Sequence, residues 1–211
     1  MVGNEVLSRT DSGAQQRNRT LMNVYQHSRT RAQFASDILR GQPVYVSLTT
    51  IHSRIFGITT TIESLIGGTV LPDHIYVFVS KDPHLLDLGV TEEYIRRESK
   101  GALERLLLIY PYLSVVFTDN IGPHRKLLPL LSKKWQEDCA IVTVDDHEVY
   151  RKTALAGLVA YYEASHRTAI VALRARRIGR EIVMCTHLFI CSYMPSPTSY
   201  NVTEPPSPSN T

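Results

Sequence analysis

The chain has 211 residues, 43% of them hydrophobic and 20% charged, with a formal net charge of +3. That is enough chain for one domain around a single core, and the apolar content excludes wholesale disorder. No long Lys/Arg run is present, which argues against a duplex nucleic-acid-binding face and leaves room for a small anionic ligand such as a nucleotide.

In chain order, residues 1–41 read as a flexible polar leader, with a short helix expected near Leu21–Tyr25. Val44–Thr50 is a β-rich apolar run after Pro43. Ile55, Ile58, Ile62, Leu65 and Ile66 follow at helical spacing, with Ser53 as the expected N-cap and Gly67-Gly68 as the stop. His74–Ser80 is a second buried strand. Thr91 can cap one helix reaching Leu107, with Glu92 and Glu93 at the positive end of its dipole. Leu113–Thr118 is a third strand, and a loop over Asp119–His124 leads into a helix over Arg125–Trp135, with Pro129 early in it or kinking it. Ala140–Val144 is a fourth strand, Thr153–Ser165 a helix and Ala169–Leu173 a fifth strand. Glu181–Tyr193 is apolar and β-prone but has no place in this order, and residues 194–211 are a Pro/Ser-rich tail expected to be disordered.

Alternating strands and helices, with near-continuous apolar strands, predict an α/β fold over 42–193: a Rossmann-like, mostly parallel sheet flanked by helices. Ligands bind such sheets at the carboxyl ends of the strands, so the polar residues there carry the functional reading. They are Thr49, Thr50, Ser80, Asp119 and Asp145–His147.

The strongest of these is Asp145-Asp146-His147, which leaves a buried strand as two carboxylates and an imidazole. Such a cluster is costly unless solvated, paired or bound to a cation. Asp145 and His147 are two apart, so an extended backbone would point both to one side. Oxygen and imidazole donors suit Mn²⁺ or a similar divalent ion that could bridge them to a diphosphate. The plainer reading is an acidic turn that ends the strand. Gly122-Pro123-His124-Arg125-Lys126 brings a glycine turn and two cations to a helix start, an anion-favouring arrangement or simply a solvated basic turn. Thr49 to Arg54 supplies hydroxyls and a guanidinium, but neither a G-x-G-x-x-G nor a P-loop.

Taken in order, these segments resemble one group of GT-A glycosyltransferases, similar to glycosyltransferase family 2. The resemblance is carried by Val46–Arg54, by Thr69-Val70-Leu71-Pro72-Asp73, by Ile121–Pro129, and by Asp145-Asp146-His147 with Tyr150 after it. It implies transfer of a sugar from a nucleotide-sugar donor to a glycan or other acceptor, with a divalent metal, Mn²⁺ or Mg²⁺, on the diphosphate. Asp145 would contact the ribose or the metal, and Asp146 would lie beside the donor sugar or the metal. His147 stands where the family usually has its last Asp and would be a metal ligand with Asp145. Lys126 would sit near the donor, and Thr49 and Arg54 near the nucleotide. Arg174–Ile178 still fits, but after Gly179 the resemblance stops. A form truncated after the donor-binding half is therefore expected, with no candidate base or acceptor platform. The alternatives are a catalytically incomplete remnant that binds a nucleotide sugar, or an unrelated metal-dependent α/β phosphohydrolase drawing on Asp119 and Asp73.

Cys139, Cys185 and Cys191 are too few for a disulfide framework, and Cys139 reads as a buried thiol. Cys185, His187 and Cys191 lack the paired C-x-x-C of a structural zinc site. Residues 1–20 lack an apolar signal core, and no apolar run reaches the roughly 18 residues of a membrane span. The cytoplasm is thus the default compartment, and the sequons at Asn18 and Asn201 read as chance matches.

Overall fold

In the computed structural model, the described residues are 33–172 with side chains, and 175–178, 182–185 and 189–192 as backbone. The leader up to residue 32, the tail, His187 and the side chains of Cys185 and Cys191 lie outside them. The strands are β1 (Gln33–Phe34), β2 (Val44–Thr49), β3 (Val70–Leu71), β4 (His74–Val79), β5 (Leu113–Phe117), β6 (Ala140–Thr143), β7 (Val171–Ala172), β8 (Ala175–Ile178), β9 (Ile182–Cys185) and β10 (Phe189–Ser192). The α-helices are α1 (Ala35–Ile38), α2 (Ile58–Ile66), α3 (Glu92–Glu98), α4 (Ala102–Ile109), α5 (Leu128–Lys133) and α6 (Ala154–Ala164).

The main sheet runs β5-β4-β2-β6-β10-β7. The pairs β4–β5, β2–β4 and β2–β6 are parallel, whereas β10 is antiparallel to both β6 and β7. The fold is thus a Rossmann-like α/β sheet with a mixed edge. The stretch Glu181–Tyr193, which the sequence left without a place, holds β9, antiparallel to β8, and β10. β10 enters the sheet beside β6, pairing Phe189 with Thr143 and Ser192 with Ala140.

Alternation along each strand divides the core into two layers. Val44, Val46 and Leu48 of β2 join Ile75, Val77 and Val79 of β4 beneath α2, α3, α4 and α6, in the larger cluster. Tyr45, Tyr76, Phe78 and Ile141 face the other way, against Leu130 of α5 and the buried Cys139. Helices therefore cover both faces, as buried parallel strands require.

Several boundaries differ from the sequence expectation. Residues 33–41, assigned to the leader, belong to the fold: Ala35 and Leu39 are fully buried. The Asp73 carboxylate ties this segment down, accepting from the N–H and hydroxyl of Ser36 and from Val44 N–H at 2.9 Å. Ser53 caps nothing, because His52–Gly57 forms a 3₁₀ helix and α2 starts only at Ile58. Thr91 does cap α3, accepting from Tyr94 N–H at 3.1 Å. The single helix expected to reach Leu107 is broken by left-handed backbone at Lys100 and Gly101, φ 51° and 71°. The helix expected over Arg125–Trp135 is a 3₁₀ turn over Gly122–Lys126 followed by the short α5, whose first turn holds Pro129. No helix among the described residues is long and apolar enough to cross a membrane.

Candidate functional site

The loops that follow β2, β4, β5 and β6 lie at the carboxyl end of the parallel strands and enclose a cavity of about 270 Å³. Thr49, Arg54, Lys126, Asp145 and Asp146, separated by up to 97 positions in the sequence, all line it. The fold therefore gathers every side chain that the sequence singled out for nucleotide contact.

Two ion pairs form its polar wall. Lys126 Nζ donates to Asp145 Oδ1 at 2.7 Å, and Arg54 Nη1 donates to Asp146 Oδ1 at 2.8 Å. Asp146 is only 4% exposed, and its Oδ2 has no hydrogen-bond partner among the described residues. A buried carboxylate oxygen in that state is expensive unless a ligand or cation satisfies it.

The backbone around these pairs is fixed from several sides. Thr61 Oγ1 on α2 donates to the carbonyl of Asp146 at 3.0 Å. Asp145 N–H donates to the hydroxyl of Tyr150 at 2.9 Å, and Tyr150 N–H donates to Ser64 Oγ at 3.0 Å. Burial pushes the Tyr150 hydroxyl above the usual tyrosine range, so it stays protonated. Ser47 Oγ donates to the Lys126 carbonyl at 2.5 Å and so seats Lys126 against β2. Thr49 Oγ1 donates to the Phe78 carbonyl at 2.8 Å, which leaves this hydroxyl tying β2 to β4 at the cavity wall.

The backbone that carries Asp145 and His147 is not an extended strand throughout. β6 ends at Thr143 and the chain turns at Asp146-His147, so the alternation of an extended strand does not continue to His147. The imidazole is about half exposed, with Nδ1 3.2 Å from Asp146 Oδ1 and 3.1 Å from Arg54 Nη1.

The two cations of the Gly122–Lys126 turn also separate. Arg125 is 1% exposed and donates through Nη2 to Asp87 Oδ2 at 2.7 Å and to the Thr50 carbonyl at 3.2 Å. Asp87 accepts in addition from His52 N–H, Gly89 N–H and Asn120 Nδ2. Burial alone would raise its pKa, but the donors at His52, Arg125 and Gly89 hold the carboxyl below its ordinary value. Sequence reasoning missed Asp87 and Asn120, both lining the cavity. Asp87 lies well past the end of β4, and no spacing marks it as the partner of Arg125. Of the carboxylates a phosphohydrolase would call on, Asp73 is committed to Ser36 and Val44 before the amino end of β4, away from the cavity. Asp119 is exposed and does not line it.

Asp145, Asp146 and His147 offer the oxygen and nitrogen donors that a divalent cation takes, and the lone Asp146 Oδ2 fits such a use. Among the described residues, however, no group of three or more His, Cys, Asp or Glu side chains is gathered to hold a metal ion. A metal here would need further oxygens from a ligand.

No protein-family model matches the chain, and no curated protein matches it in sequence. Among solved structures it is similar to S. aureus TarS 1-349, with 17% identity and a TM-score of 0.43. The match covers 66% of this chain and 39% of that one, so the chain spans well under half the length of that structure. Fold and cavity together define a Rossmann-like α/β protein with a cavity at the carboxyl ends of its parallel strands, the place where such sheets bind ligands.

Proposed function

We propose that the cavity binds a nucleotide-diphosphate sugar and that the chain is the donor-binding part of a metal-dependent glycosyltransferase. The observation that supports this most is the pair of ion pairs, Lys126–Asp145 and Arg54–Asp146, set side by side on one cavity wall. Each supplies a cation for phosphate oxygens and a carboxylate for hydroxyls or a metal. In this reading, Lys126 and Arg54 turn from their carboxylates to the diphosphate. Asp145, with its backbone held by Tyr150, meets the ribose, and the buried Asp146 meets the donor sugar. Asp145 and His147, with diphosphate oxygens, would hold Mn²⁺ or Mg²⁺, which when bound supplies Lewis-acid stabilisation of the leaving diphosphate.

Isothermal titration of UDP and GDP, with and without Mn²⁺, tests the reading on the wild type and on Asp145→Ala. Mn²⁺-dependent binding of one nucleotide that the variant loses is the expected result. Absence of binding by both nucleotides under either condition contradicts it.

A further inference from the structure

One carboxylate joins three of the loops that wall the cavity. β4 stands between β5 and β2 in the sheet, and Asp87, in the loop after β4, divides its two oxygens between the loops on either side. Oδ1 accepts from His52 N–H at 3.0 Å and, within its own loop, from Gly89 N–H at 3.1 Å. Oδ2 accepts from Arg125 Nη2 at 2.7 Å and from Asn120 Nδ2 at 3.2 Å. The same Arg125 nitrogen donates to the Thr50 carbonyl just past β2, at 3.2 Å.

The two turns held in this way are those that carry the cations of the cavity wall. His52 opens the 3₁₀ turn His52–Gly57, in which Arg54 follows with its N–H bonded to the Ile51 carbonyl at 2.9 Å. Arg125 immediately precedes Lys126 in the 3₁₀ turn Gly122–Lys126, and Ser47 Oγ on β2 holds the Lys126 carbonyl. Tying His52 N–H and the Arg125 guanidinium to one carboxylate therefore fixes the backbone from which Arg54 and Lys126 project.

The ion pairs to Asp145 and Asp146 cannot keep that spacing once an anion draws the two cations away from them. The side chains of Arg54 and Lys126 are 43% and 28% exposed, open to such an exchange. Arg125 and Asp87 are 1% and 5% exposed, and separating a pair enclosed in this way leaves a buried charge uncompensated. Their link thus persists in both states. We infer that Asp87 and Arg125 are a positioning pair, which holds Arg54 and Lys126 at a set separation so that a diphosphate meets both cations at once and a single phosphate group does not. The inference rests on the donor-site reading in one respect, that the cavity takes a diphosphate.

Pyrophosphate and orthophosphate, each titrated into the full chain with Mg²⁺, test it without a choice of nucleobase. The wild type is expected to prefer pyrophosphate. Asp87→Asn keeps the shape of the side chain but has one acceptor oxygen, so it can hold the His52 turn or the Arg125 turn and not both. Its affinity for pyrophosphate should fall roughly tenfold, since the separation must then be set on binding, while its affinity for orthophosphate should hardly change. The ratio of the two affinities is the readout, because a loss of folded protein lowers both alike. Asp87→Asn/Arg125→Met removes the buried charges together, which avoids an unpaired guanidinium in the interior, and should show the same fall in the ratio. A ratio unchanged in both variants, with the wild type still preferring pyrophosphate, overturns the positioning role and leaves the donor-site reading standing. Equal losses for the two anions overturn it as well, because they report a loosened fold and not a lost spacing. Wild-type protein that binds neither anion overturns the donor-site reading and the positioning role together.

Discussion

Lys126 and Asp145 lie 2.7 Å apart at the cavity wall, and each limits what the other can bind. A phosphate oxygen must draw Lys126 away from its carboxylate, and a divalent ion must displace the ammonium from Asp145. Lys126→Met is therefore expected to act in opposite directions on two ligands. Affinity for UDP should fall about 10- to 100-fold, the loss of one charged hydrogen bond of roughly 1.5–3 kcal/mol. Affinity for Mn²⁺ added alone should rise, because Asp145 Oδ1 is released. Titration calorimetry reads both, and a variant that loses both ligands together would contradict the exchange. At this scale much of the site was legible. Asp145 and Asp146 stood out because two carboxylates after an apolar strand are physically costly, Arg54 because it follows a strand end, and Lys126 because a glycine turn brings it to a helix start. The buried Arg125–Asp87 pair was not legible, since its partners are 38 residues apart and nothing in either neighbourhood predicts the contact.

At the scale of elements, α6 illustrates both the reach and the limit of the sequence pattern. The spacing of Leu155, Leu158, Val159 and Tyr162 puts all four on one face, and all four are buried in the larger cluster. Leu158 is fully buried there, so Leu158→Ala should destabilise the fold by about 2–5 kcal/mol through lost burial and the cavity left behind. The urea midpoint should move accordingly, and a shift under 1 kcal/mol would show that the helix is not seated as described. Helix ends were less legible than helix faces. Ile95 and Ala102 are seven apart, two helical turns, so the spacing bridges Lys100-Gly101, whereas the backbone turns left-handed there. The short antiparallel β10 was illegible for a related reason: its apolar run fits a strand anywhere, and only pairing with β6 and β7 gives it a position.

Across the whole molecule, pH acts early through His74. Burial, reinforced by the nearby positive charges of Lys133 and Lys134, lowers its pKa from 6.5 to about 4. Its Nε2 lies 2.9 Å from Ser114 Oγ, so the ring is held neutral within the parallel pair β4–β5. Between these two values the unfolded chain binds a proton that the folded chain refuses. Stability should therefore fall as pH drops from about 6.5 towards 4, with no further loss from this group below that. Asp87 acts later: the contribution of its lowered pKa is lost as the pH falls from the ordinary carboxylate value towards the lowered one. Urea unfolding at intervals across this range should show the slope, and His74→Gln should flatten its upper part; an unchanged slope in the variant would assign it to other groups.

The central claim is that a nucleotide diphosphate occupies the cavity walled by the two ion pairs. Amide chemical-shift mapping on ¹⁵N-labelled full-length chain, titrated with UDP and then GDP in the presence of Mg²⁺, locates the ligand directly. The account predicts saturable shifts concentrated at Thr49, Arg54, Asn120, Lys126, Asp145 and Asp146, the residues that line the cavity. Shifts centred elsewhere, or no saturable shifts with either nucleotide, would contradict it.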